Sequence, residues 1–373
     1  MKLLNKIFRR YSNENMPVRN LGVNGLDNQP RALFSYLIDS LDSNNTDFNY
    51  STNRKECQVI LTTLINLGFV VDFFDCRESY KKETSHYDFV FGFGEAYRNA
   101  ELTKNGSRVL YLTEGPPNFS LINEKERLES FYKRHGVEGS IERSGTYYRH
   151  SDLRLANEIV CLGELHKKHI RELPDITAVV QSVNPSGLPV EMKKNFFGVS
   201  QDVLWFGSRG VIHKGLDLLI DTFNELPDWT LHVCGVEKKD LKDLMSVNGN
   251  IKFYGKISVV DKKFAELIGL CNFSILLSCS EAVPTSVLTC MRAGLLPIVS
   301  NNCGTNFPFS ITCDSTSIEH IKNIICNTLE ITEEEIKIQS ENISSYADNV
   351  YSLSTFSENI KKVIFKCINR SSE

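Results

Sequence analysis

Two stretches carry residues suited to chemistry on phosphate and hydroxyl groups. The first is FGSRGVIHKGLDLL at 206–219. It sets Gly207 and Arg209 at the end of an apolar run, with Lys214–Gly215 opening an amphipathic run five residues after Arg209. Two fixed cations and the loop amides of a strand-to-helix turn suit anionic oxygen, because arginine binds two oxygens at once and lysine supplies a point charge. A solvated basic loop is the other reading of the same residues. GxxxxGKS/T and GxGxxG are both missing, which excludes a Walker loop and a dinucleotide fingerprint. His213, beside Lys214, faces either the phosphates or solvent.

The second stretch is EAVPTSVLTCMRAG at 281–294. Pro284 suits a helix start, where its missing N–H costs nothing. Thr285 and Ser286 follow, and the free amides of such a first turn favour an anion such as a diphosphate. Glu281, in the loop ahead of them, can accept hydrogen bonds from sugar hydroxyls, or it can simply cap the helix. Thr289 lies further along the same helix and looks toward the same ligand space.

These residues need rigid elements to hold them. Apolar runs at 32–38, 69–75, 87–94, 108–114, 158–163 and 176–183 read as strands. Helical patterns at 54–67, 95–103, 124–135 and 164–172 alternate with them. A Pro- and Gly-containing linker, NPSGLPVEMKKNFFGVS, occupies 184–200. The alternation then restarts, with strands at 203–208, 230–236, 251–257, 273–279, 296–301 and 309–313. Helices are expected at 215–226, 261–270, 284–293, 317–329, 333–346 and 355–368. Strand then helix, repeated, predicts parallel sheets covered on both faces. The chain is therefore α/β, with two doubly wound Rossmann-like domains, and the cleft between them is the expected site.

Bulk properties narrow the field. The 373 residues are 41% hydrophobic and 24% charged, as in a soluble globular protein of two domains. A net charge of −4 argues against a nucleic-acid binder held by electrostatics. The eleven cysteines are odd in number, lack CxxC spacing and sit in apolar runs. That pattern fits reduced buried thiols in a cytoplasmic protein and no zinc site. No apolar run reaches the roughly 20 residues that span a bilayer. Residues 1–10 alternate Leu3, Leu4, Ile7 and Phe8 with Lys2, Lys6, Arg9 and Arg10. They are either a frayed terminus or a basic amphipathic helix making peripheral membrane contact.

Arg209 with Lys214–Gly215, then Glu281-x-x-Pro284, then Met291-x-x-Gly294-x-x-Pro297-x-Val299, together resemble the nucleotide-sugar domain of glycosyltransferase family 4. The resemblance covers roughly residues 200–330 and extends to the first half only in architecture and looser phrases. It implies the GT-B fold. Its N-terminal acceptor-side domain would be 1–190 and its nucleotide-sugar domain 200–354, with the last helix, 355–373, packing back on the first. The implied reaction is retaining transfer of a sugar from a nucleoside-diphosphate donor to a glycan or glycolipid, as in surface polysaccharide biosynthesis, without a bound metal or other cofactor.

By the same resemblance Arg209 and Lys214 hold the diphosphate and stabilise the leaving group, the usual dominant electrostatic contribution. Glu281 touches the donor sugar, Lys256 lies near the base, and the turn at Pro284, Thr285 and Ser286 adds to the phosphate site. The sequence departs from the family at Thr289, where a second glutamate usually takes the ribose hydroxyls. A hydroxyl makes one neutral hydrogen bond there where a carboxylate accepts two charge-assisted ones. The first half also lacks the family's cleft histidine, and Glu95 and Glu114 stand at its strand ends as candidates for positioning an acceptor hydroxyl. A sugar-nucleotide epimerase would need a cluster of acid/base carboxylates, which is missing. A catalytically silent protein that binds a nucleotide sugar or a partner enzyme finds its support in Thr289.

Overall fold

The computed structural model describes residues 17–23, 28–37, 52–80, 85–143, 148–169, 176–179, 200–241, 245–304 and 307–370. The basic segment 1–10 and most of the 184–200 linker lie outside the described residues.

In chain order the first elements are β1 (Val18–Leu21), β2 (Arg31–Tyr36), α1 (Thr52–Asn66), β3 (Val70–Asp75), β4 (His86–Gly92), α2 (Gly94–Asn99) and β5 (Glu101–Leu112). Then come α3 (Pro117–His135), α4 (His150–Leu153), β6 (Glu158–Leu162), α5 (Leu165–His169) and β7 (Ile176–Val179). The second half holds β8 (Asp202–Phe206), α6 (Leu216–Asn224), β9 (Thr230–Cys234), β10 (Ile251–Phe253), α7 (Lys262–Leu270), β11 (Phe273–Leu276) and α8 (Thr285–Arg292). It continues with β12 (Leu296–Ser300), β13 (Ile311–Cys313), α9 (Ile318–Asn327), α10 (Glu333–Val350) and α11 (Leu353–Arg370).

The chain divides into two compact units. The first comprises 1–113, 146–184 and 353–373, and the second 114–145 and 185–352. The sequence reading places all of 1–190 in one domain. The segment 114–145 instead groups with the second unit, because α3 spends its buried polar groups on that unit's loops.

The first unit is a seven-stranded sheet in the order β1-β3-β2-β4-β5-β6-β7. All pairings are parallel except that of β1 with β3. The sequence reading misses β1, a four-residue edge strand whose VRNL has no clear alternation. The strands β3 and β4 read as continuous apolar runs because both faces are covered. Asp72 is the exception within β3. It is fully buried but accepts from Arg31 Nη2 at 2.7 Å, Asn20 N at 2.9 Å and the Tyr87 hydroxyl at 3.0 Å. That satisfies a charge otherwise costly to bury. The turn after β4 needs glycine: a Cβ at Gly92, with φ +125°, would lie 1.9 Å from the Ser35 carbonyl oxygen.

The helix expected at 95–103 stops at Asn99. Glu101 and Leu102 pair with His86 and Tyr87, so strand pairing takes over the end of that segment. The terminal helix α11 lies against α1, β5 and β7 of this unit.

The second unit is a six-stranded parallel sheet in the order β10-β9-β8-β11-β12-β13. Taken in chain order within the unit this is the 3-2-1-4-5-6 arrangement, whose order reverses between β8 and β11. One face packs Leu204, Cys234, Phe264, Leu267, Ile268, Cys290 and Leu295 into a core. On α6 the residues Leu216, Leu219, Ile220 and Phe223, at helical spacing, are all buried.

Among the described residues, which include all eleven cysteines, no disulfide forms, and every cysteine but Cys326 is buried. No described helix is long and apolar enough to cross a membrane.

Candidate functional site

The site is built at the switch point of the second unit. β8 runs into Gly207, whose N–H donates to the Cys234 carbonyl at 3.0 Å. The neighbouring strand end comes equally close: a Cβ at Gly235, with φ +105°, would sit 1.8 Å from the Gly207 oxygen. From there the chain coils into a tight turn. Lys214 N donates to the Gly210 carbonyl at 2.8 Å, and Leu216 N to the Val211 carbonyl at 3.0 Å. Gly215 launches α6 from the left-handed region at φ 71°, and a Cβ there would meet the Leu277 carbonyl oxygen at 2.4 Å. Only glycine allows this loop to lie against the end of β11.

The turn buries Lys214 and leaves Arg209 outside. The Lys214 ammonium forms an ion pair with the Glu281 carboxylate, with side-chain exposures of 7% and 13%. Arg209 is exposed and makes no ion pair among the described residues. Glu281 hangs from the loop after β11. Its N–H donates to the Asn302 carbonyl at 2.9 Å, and the Ser278 hydroxyl lies 3.4 Å from its carboxylate. Burial alone would raise its pKa, but the cations of Lys214 and Arg143 hold it below the usual carboxylate range. The carboxylate is turned to Lys214, and no side chain caps α8. Of the two roles open to Glu281 in the sequence, helix capping is therefore not the one it plays.

Pro284 is the N-cap of α8 rather than a residue of its first turn, and Thr285 and Ser286 are half-buried at the helix start. A first helical turn leaves its amides without intrahelical partners, so this end can take an anion. Thr289 is half-buried one turn on, and its hydroxyl donates to the Thr285 carbonyl at 2.9 Å. Lys256 is exposed in the loop after β10, beside Gly255 at φ +65°.

Glu114 opens the second unit and is half-buried. Burial, with a further push from the Glu281 charge and against the pull of Arg143, takes its pKa up to about 7. Glu95 lies in the first unit, in the first turn of α2.

Sequence reasoning does not find the residues that tie this site together. Glu124, on α3, is buried. It accepts from the amides of Glu142 at 2.9 Å and Arg143 at 3.1 Å, and its carboxylate is 3.4 Å from His213 Nδ1. His213 Nε2 donates to the Ser280 carbonyl at 2.8 Å, so the imidazole bridges α3 to the Glu281 loop. The same bridge is reinforced by Arg127, which donates to the Leu277 carbonyl at 3.0 Å, and by Ser120 and Ser280, whose hydroxyls are 2.7 Å apart. Of these residues His213 alone carries a visible signal, as the neighbour of Lys214. It faces Glu124 and Ser280, and solvent reaches only 2% of its side chain.

Residues 189–306 match the family described as Glycosyl transferases group 1. The match takes in Gly207, Arg209, Lys214, Lys256, Glu281 and all of α8. Among curated proteins there is no match. Among solved structures the chain is similar to WaaG, a glycosyltransferase involved in lipopolysaccharide biosynthesis, at 14% identity and a TM-score of 0.56, covering 89% of this chain and 99% of that one. It is similar to sucrose-phosphate synthase from Thermosynechococcus elongatus at 9% identity and a TM-score of 0.60, covering 91% and 100%. It is similar to Anabaena Alr3699/HepE, solved with UDP and glucose, at 12% identity and a TM-score of 0.54, covering 90% and 100%. Identities this low establish the fold alone. That fold is of the GT-B type, and the family match lies within its second unit. Within that class, the matched segment is that of the glycosyl transferases group 1, and it contains the switch-point site.

Proposed function

We propose that the protein transfers a sugar, with retention, from a nucleoside-diphosphate donor to a carbohydrate or lipid-linked glycan acceptor in surface polysaccharide biosynthesis. The observation that carries this reading is the Lys214–Glu281 pair at the switch point, where open α/β sheets bind their ligands. Lys214 and Arg209 meet the diphosphate and the charge that builds on it as the glycosidic bond breaks. No metal ion takes part. The amides of Thr285 and Ser286 add to that field, Glu281 orients the donor sugar through its hydroxyls, and Lys256 lies toward the base. Glu114, carrying a proton over much of the neutral range, holds the acceptor hydroxyl, and Glu95 is a second candidate for that role. Peripheral membrane contact through residues 1–10 and a location at the inner membrane face belong to the same proposal.

The test is a panel of nucleotide sugars offered to the purified protein, read by calorimetry and by release of nucleoside diphosphate. One donor should bind and be slowly hydrolysed, with Arg209→Ala and Lys214→Ala abolishing both. Glu281→Gln should fold but lose turnover. A second reading, a silent binder of nucleotide sugar or partner enzyme, draws on Thr289, whose hydroxyl hydrogen is already spent on the Thr285 carbonyl. A folded protein that binds a donor yet never releases nucleoside diphosphate would favour it.

A further inference from the structure

Arg143 comes from the loop that follows α3, far in sequence from both motifs that flank the switch point. Its backbone is pinned. The N–H of Arg143 lies 3.1 and 3.3 Å from the two oxygens of Glu124, and the preceding N–H, of Glu142, donates to the same carboxylate at 2.9 Å. Glu124 is 1% exposed, and its third partner is His213, the residue before Lys214. The two loop amides and His213 offset the cost of burying this carboxylate, and the carboxylate in turn holds the loop backbone. Here it fixes the direction in which the next side chain leaves the backbone.

That side chain runs over the phosphate turn. Gly210, at φ +93°, sits under the Arg143 stem: a Cβ at position 210 would find Arg143 Cγ at 3.3 Å and Cδ at 3.6 Å. Arg143 therefore lies across the turn that joins Arg209 to Lys214. The residue is exposed and makes no ion pair among the described residues. Its charge nonetheless lowers the pKa of both Glu281 and Glu114, so the cation lies within electrostatic reach of both carboxylates.

Building on the donor-site reading, we propose that Arg143 is a further binding residue of that site, donating to the anionic oxygens of a bound nucleoside diphosphate, and that Glu124 is the positioning residue that aims it. A planar guanidinium matches paired phosphate oxygens. Placed over the turn between Arg209 and Lys214, it meets the diphosphate from above Gly210. The site then carries three cations for a diphosphate, with Lys214 held by Glu281 and the other two paired with no carboxylate among the described residues.

The experiment measures binding of UDP, GDP and ADP by calorimetry, and of the matching nucleosides by ligand-observed NMR titration. The proteins are the wild type, Lys214→Ala, Arg143→Ala, Arg143→Lys and Glu124→Gln, each with its melting temperature. Arg143→Ala should bind the preferred diphosphate about tenfold or more weaker, the size expected for one charged hydrogen-bonding group. Its nucleoside affinity and melting temperature should stay at wild-type values, which a merely structural residue would not allow. Arg143→Lys should recover part of the loss, and Glu124→Gln should reproduce it in diphosphate affinity. Wild-type diphosphate affinity in Arg143→Ala, with affinity lost in Lys214→Ala, overturns this proposal and leaves the donor site standing. A folded wild type that binds none of the three diphosphates overturns the donor-site reading, and this proposal with it.

Discussion

Lys214 and Glu281 reach each other from opposite sides of the switch point, one from the loop after β8 and the other from the loop after β11. Each neutralises the other in a nearly dry setting, so without a donor the lysine is already committed. A diphosphate must share or draw off that ammonium. The pair is also a stability element with a defined pH signature. A carboxylate held below its usual range adds stability above its unfolded pKa, and that stability is lost as pH falls through the folded value. In Lys214→Ala the burial of Glu281 loses its chief counter-charge. The variant should lose about 3–5 kcal/mol at pH 7, the cost of breaking a buried pair. At lower pH the deficit should shrink as Glu281 takes up a proton in the variant. Urea unfolding at neutral and at acid pH decides the matter, and a deficit independent of pH would count against it.

A second buried charge ties α3 to α6. Arg134 forms ion pairs with Asp217, which is fully buried, and with Asp221, which also receives His135 Nε2 at 3.0 Å. Burial raises the pKa of Asp217, against the pull of Arg127 and Arg134, and its Oδ1 has no hydrogen-bond partner among the described residues. Removing the arginine strands that carboxylate. Arg134→Met should destabilise the protein by about 3–5 kcal/mol, and adding Asp217→Asn should recover a large part. Equal stability of the single and double variants would mean that Asp217 does not depend on Arg134.

The alternation of apolar runs with helical patterns is enough to place the two sheets, since buried parallel strands leave no other pattern. Arg209, Lys214 and Glu281 are legible for a related reason: they follow strands directly, so sequence order fixes their place at the sheet's carboxyl edge. The other half of the site is not. Glu124, Arg127 and Arg143 lie in a helix and loop whose charges look like an ordinary solvated face, and nothing in NEKERLESFYKRHG marks two of its charges as buried. Their role depends on contacts more than sixty residues apart in sequence. Short edge elements are lost too, β1 because four residues cannot show a period.

Thr289 offers a direct test of what the site lacks. It is half-buried on α8, one turn from Thr285, and its hydroxyl is turned back on the helix. Threonine in this state contributes no donor to a ribose. Thr289→Glu should supply two charge-assisted acceptors and strengthen nucleoside-diphosphate binding about tenfold. Calorimetry with the preferred diphosphate and with its 2′,3′-dideoxy analogue reads the effect. The gain should vanish with the analogue, and a gain that survives it would place the new carboxylate elsewhere than on the ribose.

Glu114 gives the clearest pH dependence. Its pKa is pushed up to about 7, chiefly by burial, so below that pH the folded protein keeps a proton that the unfolded chain releases near 4.5. The sign follows from linkage: a raised folded pKa favours the folded state at low pH, fully below about 4.5, and the benefit is lost as pH rises through about 7. Above that the wild type carries a buried carboxylate whose ionisation costs up to roughly 3 kcal/mol. Glu114→Gln escapes that cost. In urea unfolding the variant should nearly match the wild type at about pH 4.5 and exceed it at about pH 8. Donor binding should be retained at both values, since the substitution leaves Lys214 and Glu281 in place, whereas transfer to an acceptor should fall. A variant no more stable than the wild type at the higher pH would show that Glu114 ionises there without penalty, and its assignment to the acceptor hydroxyl would lose its physical basis.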